Sequence, residues 1–153
     1  RHVAYVPDAG HTDVIRGAIE DVRMNAVPLS TEEEGVAVLA GAWLGGERGV
    51  LLMQSSGVGN CVNMLSLVKT CRFPLLILVT MRGQAGEGNP WQNPMGSITG
   101  DVLALAGLEV LKIDQRETAG EVVANAGQRV FAKERATAVL IEQHVIGVKK
   151  FGD

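Results

Sequence analysis

Three consecutive glutamates, Glu32, Glu33 and Glu34, stand at the head of a segment, Gly35 to Gly46, that carries no charge at all. A helix start favours one or two carboxylates, because its free N–H groups and its dipole both attract negative charge. Ser30 with Glu33, or Thr31 with Glu34, would make a capping box, and either register leaves acid over. Behind them Val36, Leu39 and Trp43 supply bulk, while Gly35, Ala37, Ala40, Gly41 and Ala42 supply small surfaces. A helix with almost no polar face is either central to its domain or pressed against another chain. A carboxylate at the rim of such a surface is a candidate acid–base group.

Other residues of chemical interest fall at the ends of apolar runs. His11 follows "VPDAG", three residues after Asp8. A histidine there can be an acid, a base or a ligand, and equally a solvated residue at a helix start. "SSGVGN" contains Gly57, Val58, Gly59 and Asn60; its glycines let backbone approach a ligand, and a helix amino end favours anions. It lacks the third glycine of a dinucleotide fingerprint and the Lys-Ser/Thr pair of a phosphate loop, so a structural turn explains it as well as a ligand does. From Arg82 to Gly96 the chain has four glycines, two prolines and no helical or strand period, and it includes Trp91 and Gln92. A loop of that length in a compact domain reads as a lid that orders over a ligand or a partner chain. No His/Cys/Asp cluster has metal-ligand spacing, so no metal site is expected in this chain. No Gly-x-Ser-x-Gly nucleophile pattern appears.

The elements that must position these residues alternate along the chain. Strands are expected at His2–Pro7, Ala26–Leu29, Gly49–Gln54, Pro74–Thr80, Glu109–Ile113 and Ala136–Glu142, with helices at Thr12–Arg23, Glu32–Leu44, Gly59–Cys71, Ile98–Ala106 and Thr118–Glu134. "VLLMQ" and "PLLILVT" are continuous apolar runs, as strands covered on both faces require. Strict alternation implies right-handed crossovers and hence an α/β fold of three layers, a six-stranded parallel sheet with helices on both faces. Ligands of such sheets bind beyond the carboxyl ends of the strands, where Asp8, His11, the glutamates, Gly57–Asn60 and Arg82 all fall.

At 153 residues, 46% of them apolar, the chain has the size of one domain with a real core. A formal charge of -3 gives no electrostatic case for nucleic acid or an anionic membrane. No apolar run approaches the roughly 20 residues of a membrane span. Cys61 and Cys71 lie on one expected helix, roughly 15 Å apart, too far for a disulfide. Free thiols fit a reducing compartment, the cytoplasm.

"EEGVAVLAGAWLG" resembles the Glu-x-x-Ala-x-x-x-Ala-x-Gly-Tyr-Ala helix in the pyrimidine-binding domain of thiamine-diphosphate enzymes, departing from it at Val36 and at Gly41-Ala42-Trp43. "MQSSGVGNCVNML" is similar to that domain's Gly-x-Gly segment, and "FPLLILVTMRG" to the strand after it. "VPDAGH", "TEEEG", "MQSSGVGN" and "MRGQAGEGNPWQNPMG", in that order, resemble sulfopyruvate decarboxylase alpha subunits and the related phosphonopyruvate decarboxylases across nearly the whole chain. The resemblance implies a single pyrimidine-binding domain over residues 1–153. Glu33 would be the catalytic acid: hydrogen-bonded to the pyrimidine ring nitrogen, it favours the imino tautomer that takes the thiazolium proton. Gly57, Val58, Gly59 and Asn60 would join it in binding the cofactor, and Asp8, His11, Arg82 and Gln92 would meet the substrate, a small anionic 2-keto acid. That acid would be 3-sulfopyruvate or 3-phosphonopyruvate, losing carbon dioxide to give the substituted acetaldehyde. The Gly-Asp-Gly…Asn signature that holds the diphosphate and Mg2+ is not in this sequence. A diphosphate-binding beta subunit is therefore expected as partner, in a homo- and hetero-oligomer. Two alternatives stand beside this: the pyrimidine half of a 2-keto acid synthase, and a non-catalytic ligand-binding domain of the same fold.

Overall fold

The computed structural model of the chain describes residues 1–147. Six strands form one sheet, β1 (His2–Tyr5), β2 (Asn25–Pro28), β3 (Gly49–Gln54), β4 (Leu75–Thr80), β5 (Glu109–Ile113) and β6 (Ala136–Ile141). Their order is β2-β1-β3-β4-β6-β5, and every pairing is parallel. The six-stranded parallel sheet expected from the alternation is the one observed.

Period-2 geometry explains why the central strands are apolar throughout. Leu51 and Met53 of β3, with Ile77 and Val79 of β4, face one way. There they meet Val36 and Leu39 of α2 (Glu32–Leu44), Val58 and Cys61 of α3 (Ser55–Cys61), Val68 of α4 (Ser66–Cys71) and Leu103 of α5 (Asn93–Leu105). Leu52, Leu76 and Leu78 face the other way, against Ala18 of α1 (Thr12–Glu20) and Ala126 and Val130 of α6 (Ala119–Lys133). A short α7 (Gln143–Ile146) closes the described chain. No helix among the described residues is long and apolar enough to cross a membrane.

Several boundaries differ from expectation, each for a physical reason. The helix expected at Gly59–Cys71 is two helices, α3 and α4, and α3 begins at Ser55 directly after β3. Gly57 is therefore a helical glycine, not a loop one, and Gly59 lies within α3 instead of opening it. The two thiols sit on different helices, Cys61 buried and Cys71 exposed, and both are free. The helix expected from Ile98 starts at Asn93, because Pro94 occupies the first turn, where a missing N–H costs nothing. This shortens the connection after β4, which also contains a 3-10 turn at Pro90–Gln92. Helix α1 stops at Glu20, where Asp21 turns the chain by accepting the backbone N–H of Arg23 at 3.0 Å.

The strand order reverses between β1 and β3. That point leaves a crevice at the carboxyl edge, and the candidate residues gather around it.

Candidate active site

The local chemistry at the start of α2 sorts the three glutamates. Thr31 is the N-cap residue in extended conformation, but neither expected capping box closes through its hydroxyl side. Instead Glu34, exposed, reaches back and accepts the backbone N–H of Ser30 at 2.9 Å. Glu32 turns inward and is 8% exposed. Its Oε2 accepts from Asn60 Nδ2 at 2.8 Å, and its carboxylate fills the space a Cβ would take on Gly57. Glu33, between them, is half-buried, and among the described residues no hydrogen bond or ion pair engages its carboxylate. Both inner acids bear on α3: the Cys61 thiol is pushed up to about 12, first by burial and then by the charges of Glu32 and Glu33.

Asp8, His11 and Arg82 form a second group, where the ends of β1, β3 and β4 converge. Asp8 Oδ2 accepts from Thr80 Oγ1 at 2.8 Å and from the N–H of Gly10 at 2.9 Å. Its Oδ1 lies 3.5 Å from the Arg82 guanidinium. Arg82 is itself anchored, its backbone N–H donating to the buried Ser55 Oγ at 3.0 Å. Gly10 must be glycine here, since a Cβ would lie 2.7 Å from Thr80 Cγ2 and 2.9 Å from Asp8 Oδ2.

His11 is fully buried, with Nε2 3.3 Å from the Met53 carbonyl oxygen. That contact makes Nε2 the protonated nitrogen, and Nδ1 has no partner among the described residues. Burial holds the imidazole below its ordinary pKa, outweighing the charge of Asp8 and the carbonyls of Met53 and Leu78. It is thus a neutral group whose free lone pair lies inside the protein.

The connection from Gly83 to Asn89 is organised around Glu87. Its carboxylate accepts from the N–H of Gly83 at 3.1 Å, the N–H of Asn89 at 2.9 Å and Gln143 Nε2 at 2.9 Å. Burial pushes this carboxyl up, but those three donors and the charge of Arg82 together hold it below the usual carboxylate range. Gln84 and Gln143 exchange backbone-to-side-chain hydrogen bonds of 3.0 and 2.7 Å, and Gln84 also donates to Glu142. The segment is therefore clasped to the end of β6, while Trp91 beyond it is 73% exposed.

Measured against the sequence expectations, the structure brings Asp8, His11 and Arg82 together but turns all three inward. Gln92 sits at the foot of α5, half-buried, with its carbonyl packed over Gly83. Val58 is a core residue with no exposed surface, so its side chain does not face a ligand; the helix that replaces the expected loop rotates it onto the sheet. Gly57 is covered by Glu32 and the Asn60 amide is bonded to it, whereas Gly59 is exposed with Met95 Sδ 3.4 Å from its Cβ direction. Sequence reasoning missed Ser55, Thr80, Glu87 and Gln143, and it read Glu32 as serving the helix start, whereas Glu32 turns inward to Asn60. Glu87 carried a signal, as the single charged residue between Gln84 and Gly96. Ser55 and Thr80 close the polar ends of two apolar strands, the usual place for site residues in this architecture.

Two clefts of about 510 and 560 Å³ open beside α1 and beside β5, and Glu33 lines neither. Its carboxylate is half-buried and close enough to α3 for its charge to bear on the Cys61 thiol.

No protein-family model matches the chain. It is 33% identical over 141 residues to the sulfopyruvate decarboxylase subunit alpha of Methanococcus maripaludis, a match that covers 92% of this chain and 84% of that one. The same subunit of Methanothermobacter thermautotrophicus is 34% identical over 138 residues, covering 90% and 84%. The phosphonopyruvate decarboxylase of Streptomyces viridochromogenes is 42% identical over 109 residues, 70% of this chain but 28% of that protein. Among solved structures, a 2-oxoglutarate:ferredoxin oxidoreductase from Magnetococcus marinus superimposes with a TM-score of 0.72 over 93% of this chain and 26% of its own; at 13% identity that likeness concerns the fold.

Proposed function

The chain belongs to the family of sulfopyruvate decarboxylase alpha subunits, and on that premise we propose that it is the pyrimidine-binding subunit of a thiamine-diphosphate-dependent 2-keto acid decarboxylase. The substrate is 3-sulfopyruvate or 3-phosphonopyruvate, and the products are carbon dioxide and the substituted acetaldehyde. The whole chain is one pyrimidine-binding domain. The diphosphate and its Mg2+ belong to a beta subunit, and the two chains assemble with the cofactor between them in the cytoplasm, where Cys61 and Cys71 stay reduced.

The division of labour among the glutamates supports this reading most directly. Glu34 closes the helix start and Glu32 is clasped by Asn60, which leaves Glu33 as the half-buried carboxylate that no hydrogen bond engages among the described residues. The residues present fit the pyrimidine end of the cofactor. One acid stands at the amino end of an apolar helix, and Gly59 of α3 is exposed, with only the Met95 side chain over it. When bound, thiamine diphosphate supplies the electron sink that accepts the pair left as carbon dioxide departs.

The chain's own residues do the rest. The Glu33 carboxyl holds a proton at the pyrimidine ring nitrogen and so sets the ring's tautomer. Gly59 admits the ring against α3. The buried Asp8–Arg82 pair with Thr80 and Ser55 holds the ends of β1, β3 and β4 in register beneath the site. His11 is a neutral, buried group whose Nε2 ties the start of α1 to the Met53 carbonyl beneath the site. The segment clasped by Glu87, together with Trp91, walls the carboxyl edge against water when the partner is in place.

The test is co-expression with the beta subunit, followed by decarboxylation assays on both acids with Mg2+. Glu33→Gln preserves shape and one hydrogen bond but not the shared proton. It should slow deuterium exchange at the cofactor's thiazolium carbon by about 10²–10⁴, the usual cost of a positioned acid–base group. Exchange at the parent rate in Glu33→Gln rejects the assignment. Turnover by this chain without a partner rejects the half-site.

A further inference from the structure

Resting on the assignment of Glu33, we infer that Glu32 is a positioning residue, whose buried carboxylate, held between Asn60 and the bare Cα of Gly57, sets the direction in which Glu33 points. Three observations lead there. First, Glu32 is 8% exposed, and a carboxylate is not withdrawn from water without compensation. Here the compensation is a charge-assisted hydrogen bond from Asn60 Nδ2 at 2.8 Å and the favourable amino end of α2.

Second, Gly57 is shaped to this side chain. A Cβ at position 57 would overlap the Oε1, Cδ and Cγ atoms of Glu32, so helix α3 accepts a poor helix former to make the space. Third, reaching back to the helix start and filling the core are served by other residues. Glu34 already serves the backbone of Ser30, and the inward positions that only fill the core, Val36 and Leu39, are apolar.

The consequence is geometrical. Successive helical side chains are turned by about 100° around the axis. With Glu32 pinned to α3, the rotation of the first turn is fixed, and Glu33 is directed past the α2–α3 seam instead of into it. Asn60 and Gly57 therefore act on the cofactor through Glu32 and Glu33, not by touching it.

A donor–acceptor swap tests this on the full chain and its complex. Asn60→Asp sets two carboxylates against each other. Glu32→Gln still offers Asn60 an acceptor oxygen. In the double variant the new amide donates to the new carboxylate, restoring one hydrogen bond with its polarity reversed. Two readouts are needed: backbone amide exchange across Thr31–Val36 in the isolated chain, and thiazolium proton exchange in the complex with the beta subunit.

Asn60→Asp should raise the first and lower the second by about tenfold or more, the equivalent of losing one hydrogen bond to a charged group. Glu32→Gln and the double variant should both return to within about threefold of the parent, a spread within the scatter of a single neutral exchange. Parental behaviour of Asn60→Asp, or a double variant no better than Asn60→Asp, overturns the inference. Glu33→Gln, run beside them, separates the two failures. If it slows thiazolium exchange while Asn60→Asp does not, the positioning role alone is wrong. If it does not, the premise falls and the inference with it.

Discussion

Asp8 and Arg82 stand 3.5 Å apart, carboxylate to guanidinium, with side chains only 3% and 8% exposed. The two charges match each other within the fold, and Asp8 is further saturated by Thr80 and Gly10. This is an internal joint between the ends of β1 and β4. Removing either partner leaves the other charge buried and unpaired, which costs about 3–5 kcal/mol. Asp8→Ala and Arg82→Met should each lose that much in urea unfolding. The double variant should lose clearly less than their sum. Additive losses would show that the two side chains do not interact.

A pH dependence follows from His11. Its pKa in the folded chain is lowered by burial, so the unfolded chain takes up a proton first as the solution is acidified. Stability is then full above the unfolded value of about 6.5, falls as pH drops below it, and levels off once the folded chain is protonated as well. One such proton contributes a slope of about 1.4 kcal/mol per pH unit at most. His11→Gln, an amide that can still donate to Met53, should remove this component. A melting profile between pH 7 and pH 5 with the same slope in both proteins would contradict the assignment.

Two glycines should respond oppositely to alanine. A Cβ on Gly96 collides with the backbone carbonyl of Arg82, where nothing flexible can yield. Gly96→Ala should therefore destabilise the chain by about 1–3 kcal/mol, the usual cost of overpacking. A Cβ on Gly59 meets only Met95 Sδ at 3.4 Å. Gly59→Ala should stabilise the isolated chain by up to about 1 kcal/mol through helix propensity, and weaken thiamine diphosphate binding in the complex. Calorimetry on the isolated chain and cofactor titration of the complex separate the two effects. Unchanged cofactor affinity would remove Gly59 from the site.

The sheet was legible because its central strands repeat one physical signal. "VLLMQ" and "PLLILVT" are apolar on both faces, and β3 and β4 are covered on both faces. The start of α2 was equally plain from the acids and the apolar run behind them. What escaped was set by residues far apart in the chain. Gly57 read as a loop residue because the partner that requires a glycine there, Glu32, approaches from another helix. Pro94 read as part of a lid, whereas its neighbours made it a helix start. Asp8, His11 and Arg82 were correctly gathered at the carboxyl edge. Their inward turn depends on Thr80, Ser55 and Met53, contacts that no local pattern encodes.

The outer stripe of α2 gives the last prediction. Glu33, Ala37, Gly41 and Leu44 follow one another along one face of the helix. Ala37 and Gly41 are exposed, and Leu44 is 88% exposed. At the far end of α5, Leu105 is 86% exposed. An apolar stripe running away from the proposed catalytic acid is the surface a second chain would cover to complete the site. Ala37→Arg places a large charge on that stripe one turn beyond Glu33. Alanine and arginine are both good helix formers, so the isolated chain should keep its stability to within about 0.5 kcal/mol. Association with the beta subunit should weaken by about tenfold or more, since a charge placed in a desolvated interface goes unpaired. Sedimentation of the mixed subunits gives the affinity, and a thermal melt of the isolated chain controls for folding. Full affinity with normal folding would move the interface away from α2 and take Glu33 out of the shared site.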